Sequence, residues 1–354
     1  MLRKKQDTIY FADKIKKINM LLLPVLAAVY LHNMPVYGAD QAQREFFAMD
    51  TVMSVTVNGE GAEAACDAAV SEVNRLDELL STGKDSSEVS KINMAGGGTL
   101  SEDGQKLLKK ALELYEVSDG LFDVSIYPVM ELWGFTSGDY HVPAEDELGE
   151  ALSLVDASCI DFDEGTGEVS FEKEGMKIDF GGIAKGYTSS RMIDILRERG
   201  ITSALVNLGG NVQALGAKPD GSRWRVGVQD PEKKGGLLGV LSIADLAVIT
   251  SGGYERFFEE NGQTYHHIID TRTGFPADSG LLSVTIVTED GMLADGLSTF
   301  LFAAGADRAV EFWREQKEDF EMILCTADGS LLVTEGLGDI FTSDRDFKLI
   351  PFTE

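Results

Sequence analysis

The segment from Lys177 to Ser190 contains an acidic residue, a glycine pair and a lysine within seven positions, where a strand is predicted to give way to a helix. Gly181 and Gly182 would let the backbone approach a ligand closely, and a helix beginning just after them would present free N–H groups to an anion. Lys185 adds a mobile positive charge, and Asp179 ends the preceding apolar alternation. The pattern indicates either an anion-binding turn or an ordinary glycine turn between two elements.

A second pair of chemically suited residues lies far along the chain. Asp295 and Thr299 are four residues apart in the segment 292–304, which is predicted to be helical. That spacing stacks a carboxylate and a hydroxyl on one helix face, where they and a backbone carbonyl would suit Mg²⁺. The alternative is that Asp295 only caps free N–H groups at a helix N-terminus.

His266 and His267, two of the four histidines in the chain, stand close to Asp270. Adjacent strand residues face opposite ways, so at most one of the two points into a given site, and a strand histidine is also commonly structural. A site that binds a pyrophosphate ester with magnesium requires such groups together: the glycine-lysine turn, the Asp295 and Thr299 pair, and a histidine near an acid. The sequence has neither the P-loop motif nor the glycine fingerprint of a Rossmann fold.

The composition excludes some classes of function. The chain has 31 basic and 59 acidic residues and a net charge of −28, which argues against binding nucleic acid or an anionic membrane through a general electrostatic field. Cys66, Cys159 and Cys325 are too scattered to form a disulfide framework or a zinc site.

The N-terminus has the order of a secretory signal: six Lys or Arg, an apolar run from Met20 to Leu31, and small or moderate residues before Ala39. The apolar run is short for a membrane span, which needs roughly 20 residues. We therefore expect residues 1–38 to be a signal peptide, cleaved or else retained as an anchor, and residues 39–354 to form the functional domain. The expected location is extracytoplasmic, in the periplasm or at the outer face of the cytoplasmic membrane.

Apolar periodicity predicts the elements that must position these groups. We expect a strand at Phe46–Val57, helices at Glu63–Leu80 and Glu102–Val117 with a loop at Ser81–Gly98 between them, and a second half denser in strands. No internal repeat or proline-rich linker divides the chain. The pattern favours an α+β fold in a single large domain.

The sequence resembles the ApbE-like family of magnesium-dependent FAD:protein FMN transferases from Met49 to about Phe341. The resemblance is carried, in matching order and spacing, by Ser81-Thr82, Gly120 to Val124, Leu132 to Phe135, Asp179 to Tyr187, Asn207 to Asn211, Ser251 to Arg256, His267 to Gly274 and Ala294 to Thr299. The chain departs from the family pattern at Asp50, Gly83 and Thr271, where glycine, an aromatic residue and proline are usual.

The resemblance implies a fold related to the T-fold, with a mixed, mostly antiparallel sheet and flanking helices. It also implies transfer of FMN from FAD to a threonine or serine hydroxyl of a partner flavoprotein, through a phosphoester bond, with Mg²⁺ and release of AMP. The partner would be an acceptor such as a subunit of a membrane redox pump. Two alternatives are a Mg²⁺-dependent FAD pyrophosphatase that yields FMN and AMP, and a non-enzymatic extracytoplasmic flavin-binding protein.

Residue roles follow from the same resemblance. The metal would be held by the carbonyl of Gly182 and the side chains of Asp295 and Thr299, and either His267 or Asp295 would accept the proton of the hydroxyl. His266 is expected to be structural. The expected contacts to FAD are Met49, Leu121, Phe122, Asp123, Asp179, Lys185 and Ile269.

Overall fold

The computed structural model describes residues 40–315 and 318–353. The predicted signal segment lies outside them. The strands are β1 (Gln41–Ala48), β2 (Thr51–Asn58), β3 (Gly97–Thr99), β4 (Ile160–Asp163), β5 (Glu168–Phe171), β6 (Ser203–Leu208), β7 (Asn211–Leu215), β8 (Trp224–Gln229), β9 (Leu237–Ile243), β10 (Ala247–Gly252), β11 (Phe257–Glu260), β12 (Gln263–His266), β13 (Leu281–Thr288), β14 (Glu321–Thr326), β15 (Leu331–Thr334), β16 (Phe341–Thr342) and β17 (Lys348–Ile350). The helices are α1 (Ala62–Leu80), α2 (Glu88–Ala95), α3 (Glu102–Val117), α4 (Tyr127–Leu132), α5 (Glu145–Leu152), α6 (Ala184–Glu198), α7 (Gly291–Ala304) and α8 (Ala306–Arg314).

A nine-stranded sheet forms the centre of the protein, in the order β1-β2-β6-β7-β10-β13-β14-β15-β17. Its neighbouring strands are antiparallel except for the parallel pair β15 and β17. Smaller sheets are β8-β9-β16, β3-β5-β4 and the hairpin β11-β12. This mixed, mostly antiparallel sheet with flanking helices confirms the predicted α+β class.

Side-chain alternation along the strands separates two layers of core. In β10, Ile249 packs with the cluster that includes α3 and α7, whereas Val248 packs against β8 and β9 on the opposite face. Helices therefore cover one face of the large sheet and the β8-β9-β16 sheet covers part of the other. Across residues 40–315 and 318–353, no helix has the length and apolar character needed to span a membrane.

The predicted strand at Phe46–Val57 is wrong, because the chain turns back at Met49 and Asp50 to form the hairpin β1-β2. Both turn residues have positive φ, 45° and 58°. A hairpin turn of this kind is usually recognised by glycine or asparagine. With neither residue present, Asp50, which tolerates a positive φ, is only a weak sequence signal for the turn.

The predicted loop at Ser81–Gly98 is also wrong in part, since it contains α2 and the start of β3. The Ser87 hydroxyl accepts a hydrogen bond from the Ser90 N–H at 2.9 Å, and Gly96 ends the helix with φ of 72°. These are ordinary helix boundary devices. They are hard to recognise around a helix of only eight residues.

The segment before Asp179 is not a strand, although the sequence predicts one. The Asn93 side chain takes the place of a neighbouring strand: its amide donates to the Ile178 carbonyl and its oxygen accepts from the Ile178 N–H, both at 2.8 Å. The helix expected near Ala184 does begin there, as α6.

Candidate functional site

Helices α6 and α7 cross at glycines, and this crossing brings the two predicted halves of the site together. A Cβ atom at Gly186 would lie 2.1 Å from the carbonyl oxygen of Gly291 and 2.6 Å from the Cβ of Asp295. Only a residue without a side chain allows the backbones to approach so closely. The crossing places the turn at 179–186 against the helix face of Asp295 and Thr299.

Asp295 is 5% exposed, and its carboxylate connects three segments. Oδ2 accepts the Gly186 N–H at 2.8 Å and Oδ1 accepts the Asn211 side-chain amide at 2.9 Å. Burial raises the pKa of Asp295, whereas the charge of Lys185 and the two donors favour the charged form. The N-cap of α7 is Asp290, which accepts from two backbone N–H groups, so Asp295 does not cap its own helix; it accepts instead an N–H group in the first turn of α6, whose N-cap Ile183 supplies no side-chain acceptor.

Gly182 and Thr299, the other two expected metal ligands, lie close to each other beside Asp295. A Cβ at Gly182 would lie 3.9 Å from Thr299 Oγ1, and that hydroxyl donates to the Asp295 carbonyl at 3.3 Å. Ser251 Oγ lies 3.4 Å from the same hydroxyl. In the part of the chain that the structure describes, no three His, Cys, Asp or Glu side chains cluster as metal ligands. A cation here would need carboxylate, hydroxyl and carbonyl oxygens together with substrate oxygens, a set that suits Mg²⁺.

The start of α6 has the features of an anion-binding turn, but part of its donor capacity is used within the chain. Ile183 at the N-cap supplies no side-chain acceptor, and the Gly186 N–H binds the Asp295 carboxylate. Asp179 folds back to accept the Gly181 N–H at 2.9 Å. Burial raises the pKa of Asp179, while that hydrogen bond and the charge of Arg256 oppose the rise.

His267 follows β12 and is held by one carbonyl. The Arg256 oxygen lies 3.1 Å from both the backbone nitrogen and Nδ1 of His267. A carbonyl can only accept, so Nδ1 carries the proton and Nε2 keeps a free lone pair. Burial, then the positive charges of Arg256 and Lys185, lower the pKa of His267 to about 3. The ring is therefore neutral near pH 7, and Nε2 presents a lone pair as a hydrogen-bond acceptor, while the low pKa makes the ring a weak base.

The neighbouring histidine has a different environment. His266 lies with Nε2 3.1 Å from the Ala277 carbonyl and packs edge-on against Phe302. Burial lowers its pKa. These contacts are what a structural role would require.

The expected flavin contacts fall into two groups. Phe122 packs against Gly182, since a Cβ at that glycine would lie 2.9 Å from the ring, and the half-buried Leu121 precedes it. Met49 lies at the β1-β2 turn with its sulfur 3.8 Å from Thr188 Oγ1 on α6. These residues surround the start of α6, as Asp179 and Lys185 do.

The second group points into the protein. The Asp123 carboxylate is 7% exposed and accepts from the backbone and hydroxyl of Ser125 and from the Ala157 N–H. Ile269 is 6% exposed and packs in the cluster that contains Trp133. The Asp123 carboxylate is fully engaged inside the fold.

Other residues, to which the sequence analysis gave no role, also lie around Asp295 and the start of α6. Asn211 orients Asp295, and Ser251 hydrogen-bonds with the hydroxyls of α7, at 2.8 Å from Ser298 Oγ. Desolvation raises the pKa of Glu255, an exposed residue, to about 7, with the charge of Lys185 opposing the rise. Both segments, Asn207 to Asn211 and Ser251 to Arg256, are among those that carry the family resemblance, but the sequence analysis gave these residues no role.

Comparison with known proteins agrees with this architecture. The model of the ApbE family matches residues 49–324. Proteins named FAD:protein FMN transferase are similar to the chain: that of Klebsiella pneumoniae (strain 342) is 34% identical over 77% of this chain and 85% of its own length, and that of Treponema pallidum (strain Nichols) is 34% identical over 77% and 81%. The crystal structure of the ApbE protein from Thermotoga maritima superposes with a TM-score of 0.79 at 32% identity, covering 87% of this chain and all of that one.

Proposed function

The chain belongs to the ApbE family, and on that premise we propose that it is an FAD:protein FMN transferase, which moves FMN from FAD to a hydroxyl of an acceptor protein. The observation that supports the proposal is the proximity of the expected site residues: a Cβ at Gly182 would lie 3.9 Å from Thr299 Oγ1, the Thr299 hydroxyl donates to the Asp295 carbonyl, and the charge of Lys185 acts on both Asp295 and His267. A pyrophosphate ester needs its negative charge neutralised and its attacking hydroxyl deprotonated.

The donor set fits Mg²⁺, which we propose is held by the Gly182 carbonyl, the Asp295 carboxylate and the Thr299 hydroxyl. The ion would supply charge neutralisation at the pyrophosphate oxygens. The Asn211 amide and the Gly186 N–H fix the orientation of the Asp295 carboxylate. Both oxygens of that carboxylate already accept hydrogen bonds and one would also hold the ion, so we propose His267 as the proton acceptor.

The acceptor hydroxyl, from threonine or serine, attacks the FMN-side phosphorus of FAD. An oxygen–phosphorus bond forms, the bond from that phosphorus to the bridging oxygen breaks, and AMP leaves with that oxygen. His267 Nε2 accepts the hydroxyl proton, because the Arg256 carbonyl holds its ring in the Nδ1–H tautomer. Lys185 and the backbone N–H groups of the turn stabilise the charge that develops on phosphate.

We also propose export of the protein and an acceptor that works outside the cytoplasm, such as a subunit of a membrane redox pump. The support is the order of basic, apolar and small residues in 1–38. Comparing the N-terminus of the exported protein with that of the full chain tests the proposal.

Incubation with FAD, Mg²⁺ and a candidate acceptor tests the function. Covalent flavin fluorescence on the acceptor in a denaturing gel, with AMP formed in equal amount, supports transfer. Free FMN and AMP with an unlabelled acceptor would show a pyrophosphatase instead, and unchanged FAD would refute both. His267→Gln should lower the rate about 10²- to 10⁴-fold, as loss of a general base does, whereas the matched variant His266→Gln should remain near the parent rate.

A further inference from the structure

The turn between β1 and β2 has a conformation that its own residues do not favour. Met49 and Asp50 have φ of 45° and 58°, in the left-handed region. Aspartate tolerates this region but methionine avoids it, so the turn persists only when surrounding contacts hold Met49. The structure shows one such contact, from Asp77 of α1.

Asp77 accepts hydrogen bonds from two segments, the β1-β2 turn and the loop before α2. Its Oδ1 accepts the Met49 N–H at 3.2 Å, and its Oδ2 accepts from the Lys84 ammonium at 2.7 Å. Its side chain is 22% exposed, so water competes only in part for these contacts. One carboxylate thus joins the β1-β2 turn to the loop that precedes α2.

Helix α1 itself gains little from this carboxylate. Asp77 lies in the last turn of the helix, where the dipole disfavours negative charge, and that turn contains no basic residue. Glu78 adds a second acid at the same end. The contacts outside the helix are therefore the physical reason for an acid at position 77.

Both of the segments joined by Asp77 connect to the start of α6. The Met49 side chain packs against both the α3–α7 core and the α1–α6 core, and its sulfur lies beside Thr188, one turn after Lys185. The loop of Lys84 leads into α2, whose Asn93 holds the backbone just before Asp179. The position of Asp77 thus affects both the Met49 turn and the α2 segment, which lie on either side of the anion-binding turn.

We propose that Asp77 is a positioning residue for FAD binding: its carboxylate holds the β1-β2 turn and the Lys84 loop at a fixed spacing around the start of α6. Because FAD is the substrate only under the function proposed above, this inference rests on that function. Loss of Asp77 weakens FAD binding and leaves the chemical step at saturating FAD nearly unchanged, since Asp77 touches neither His267 nor the oxygens of the metal site in the structure.

The test measures FAD affinity by calorimetry in the presence of Mg²⁺, and KM and kcat for transfer in parallel. Asp77→Ala should raise Kd and KM for FAD about tenfold or more, as loss of a charge-assisted hydrogen bond does, with kcat within about twofold of the parent. Glu78→Ala is the matched control: Glu78 also pairs with Lys84 at 2.7 Å but is 66% exposed and makes no bond to Met49. It should bind FAD like the parent.

Two further variants keep the test decisive if Asp77→Ala fails to fold. Asp77→Asn keeps an acceptor for the Met49 N–H but loses the ionic bond to Lys84, and Lys84→Met loses that same bond from the other side. The two variants should show the same small rise in Kd. Unchanged Kd in Asp77→Ala, a fall in kcat with unchanged KM, or clearly different Kd values for the last two variants would overturn the inference. Absence of FAD binding by the parent protein would instead refute the proposed function.

Discussion

Replacement of Gly186 by alanine tests the idea that close packing of α6 and α7 builds the site. The added Cβ would lie 2.1 Å from the Gly291 carbonyl oxygen, whereas ordinary contact begins at 3.4 Å. The helices must therefore separate by about 1.3 Å along this direction, because the obstructing atom belongs to backbone and cannot rotate away. The Gly186 N–H would then lose its 2.8 Å hydrogen bond to Asp295.

The separation has two measurable consequences. Overpacking of this kind costs about 1–3 kcal/mol, which for a domain of this size lowers the melting temperature on the order of 5 °C. A misplacement of roughly 1 Å at reacting groups costs about 10²-fold in rate. The rate of flavin transfer should therefore fall by far more than the loss of folded protein explains, with a weaker response to Mg²⁺.

Gly149→Ala is the control for this variant. Gly149 lies inside α5, and an added Cβ would meet no atom within 4 Å. Alanine is favoured over glycine in a helix by roughly 0.5–1 kcal/mol, so the melting temperature should stay equal or rise and the rate should not change. A Gly186→Ala protein with parental melting temperature and transfer rate would refute the packing argument.

Three other predictions concern single groups. The ring NMR shifts of His267, whose pKa is lowered to about 3, should stay constant between about pH 5 and 8, and stability should fall as the pH drops below about 6.5, because the unfolded chain then binds more protons; a ring that titrates near 6.5 would contradict the site geometry. Asp295→Asn should abolish Mg²⁺-dependent transfer and lower the melting temperature modestly, since its amide nitrogen replaces one of the two oxygens that accept from Gly186 and Asn211; retained activity would exclude Asp295 as a metal ligand. Asn93→Ala removes both bonds to Ile178 and should lower the free energy of unfolding, measured in urea, by about 1–3 kcal/mol. An unfolding curve with the midpoint and slope of the parent would show that these bonds do not contribute to stability.

Local patterns carried most of what could be predicted from the sequence. Asp295 and Thr299 share a helix face because residues four positions apart in a helix lie one above the other, and the start of α6 follows from the turn around Gly182. The fold class followed from the succession of elements. Long-range pairings left no such pattern: neither the Asn211 bond to Asp295 nor the crossing at Gly186 can be read from a short window.

The wrong expectations share a physical cause. A turn formed by Met49 and Asp50 looks like continuous strand because its conformation is imposed by contacts from α1 and not by glycine. The backbone at Ile178 looks like a strand because its apolar alternation is real, but its hydrogen bonds are satisfied by the Asn93 side chain. In both cases tertiary contacts override local preference.

The hydrogen bonds that Asp295 makes also determine at which stage of synthesis the proposed site can form. They join positions 109 and 84 residues apart, to Gly186 and Asn211. Closing loops of this length is entropically unfavourable until the strands between them have joined the sheet. A growing polypeptide that ends before α7 can contain the whole glycine-lysine turn and still lack the carboxylate opposite it. Under the proposed function, flavin transfer therefore becomes possible only after α7 has been synthesised.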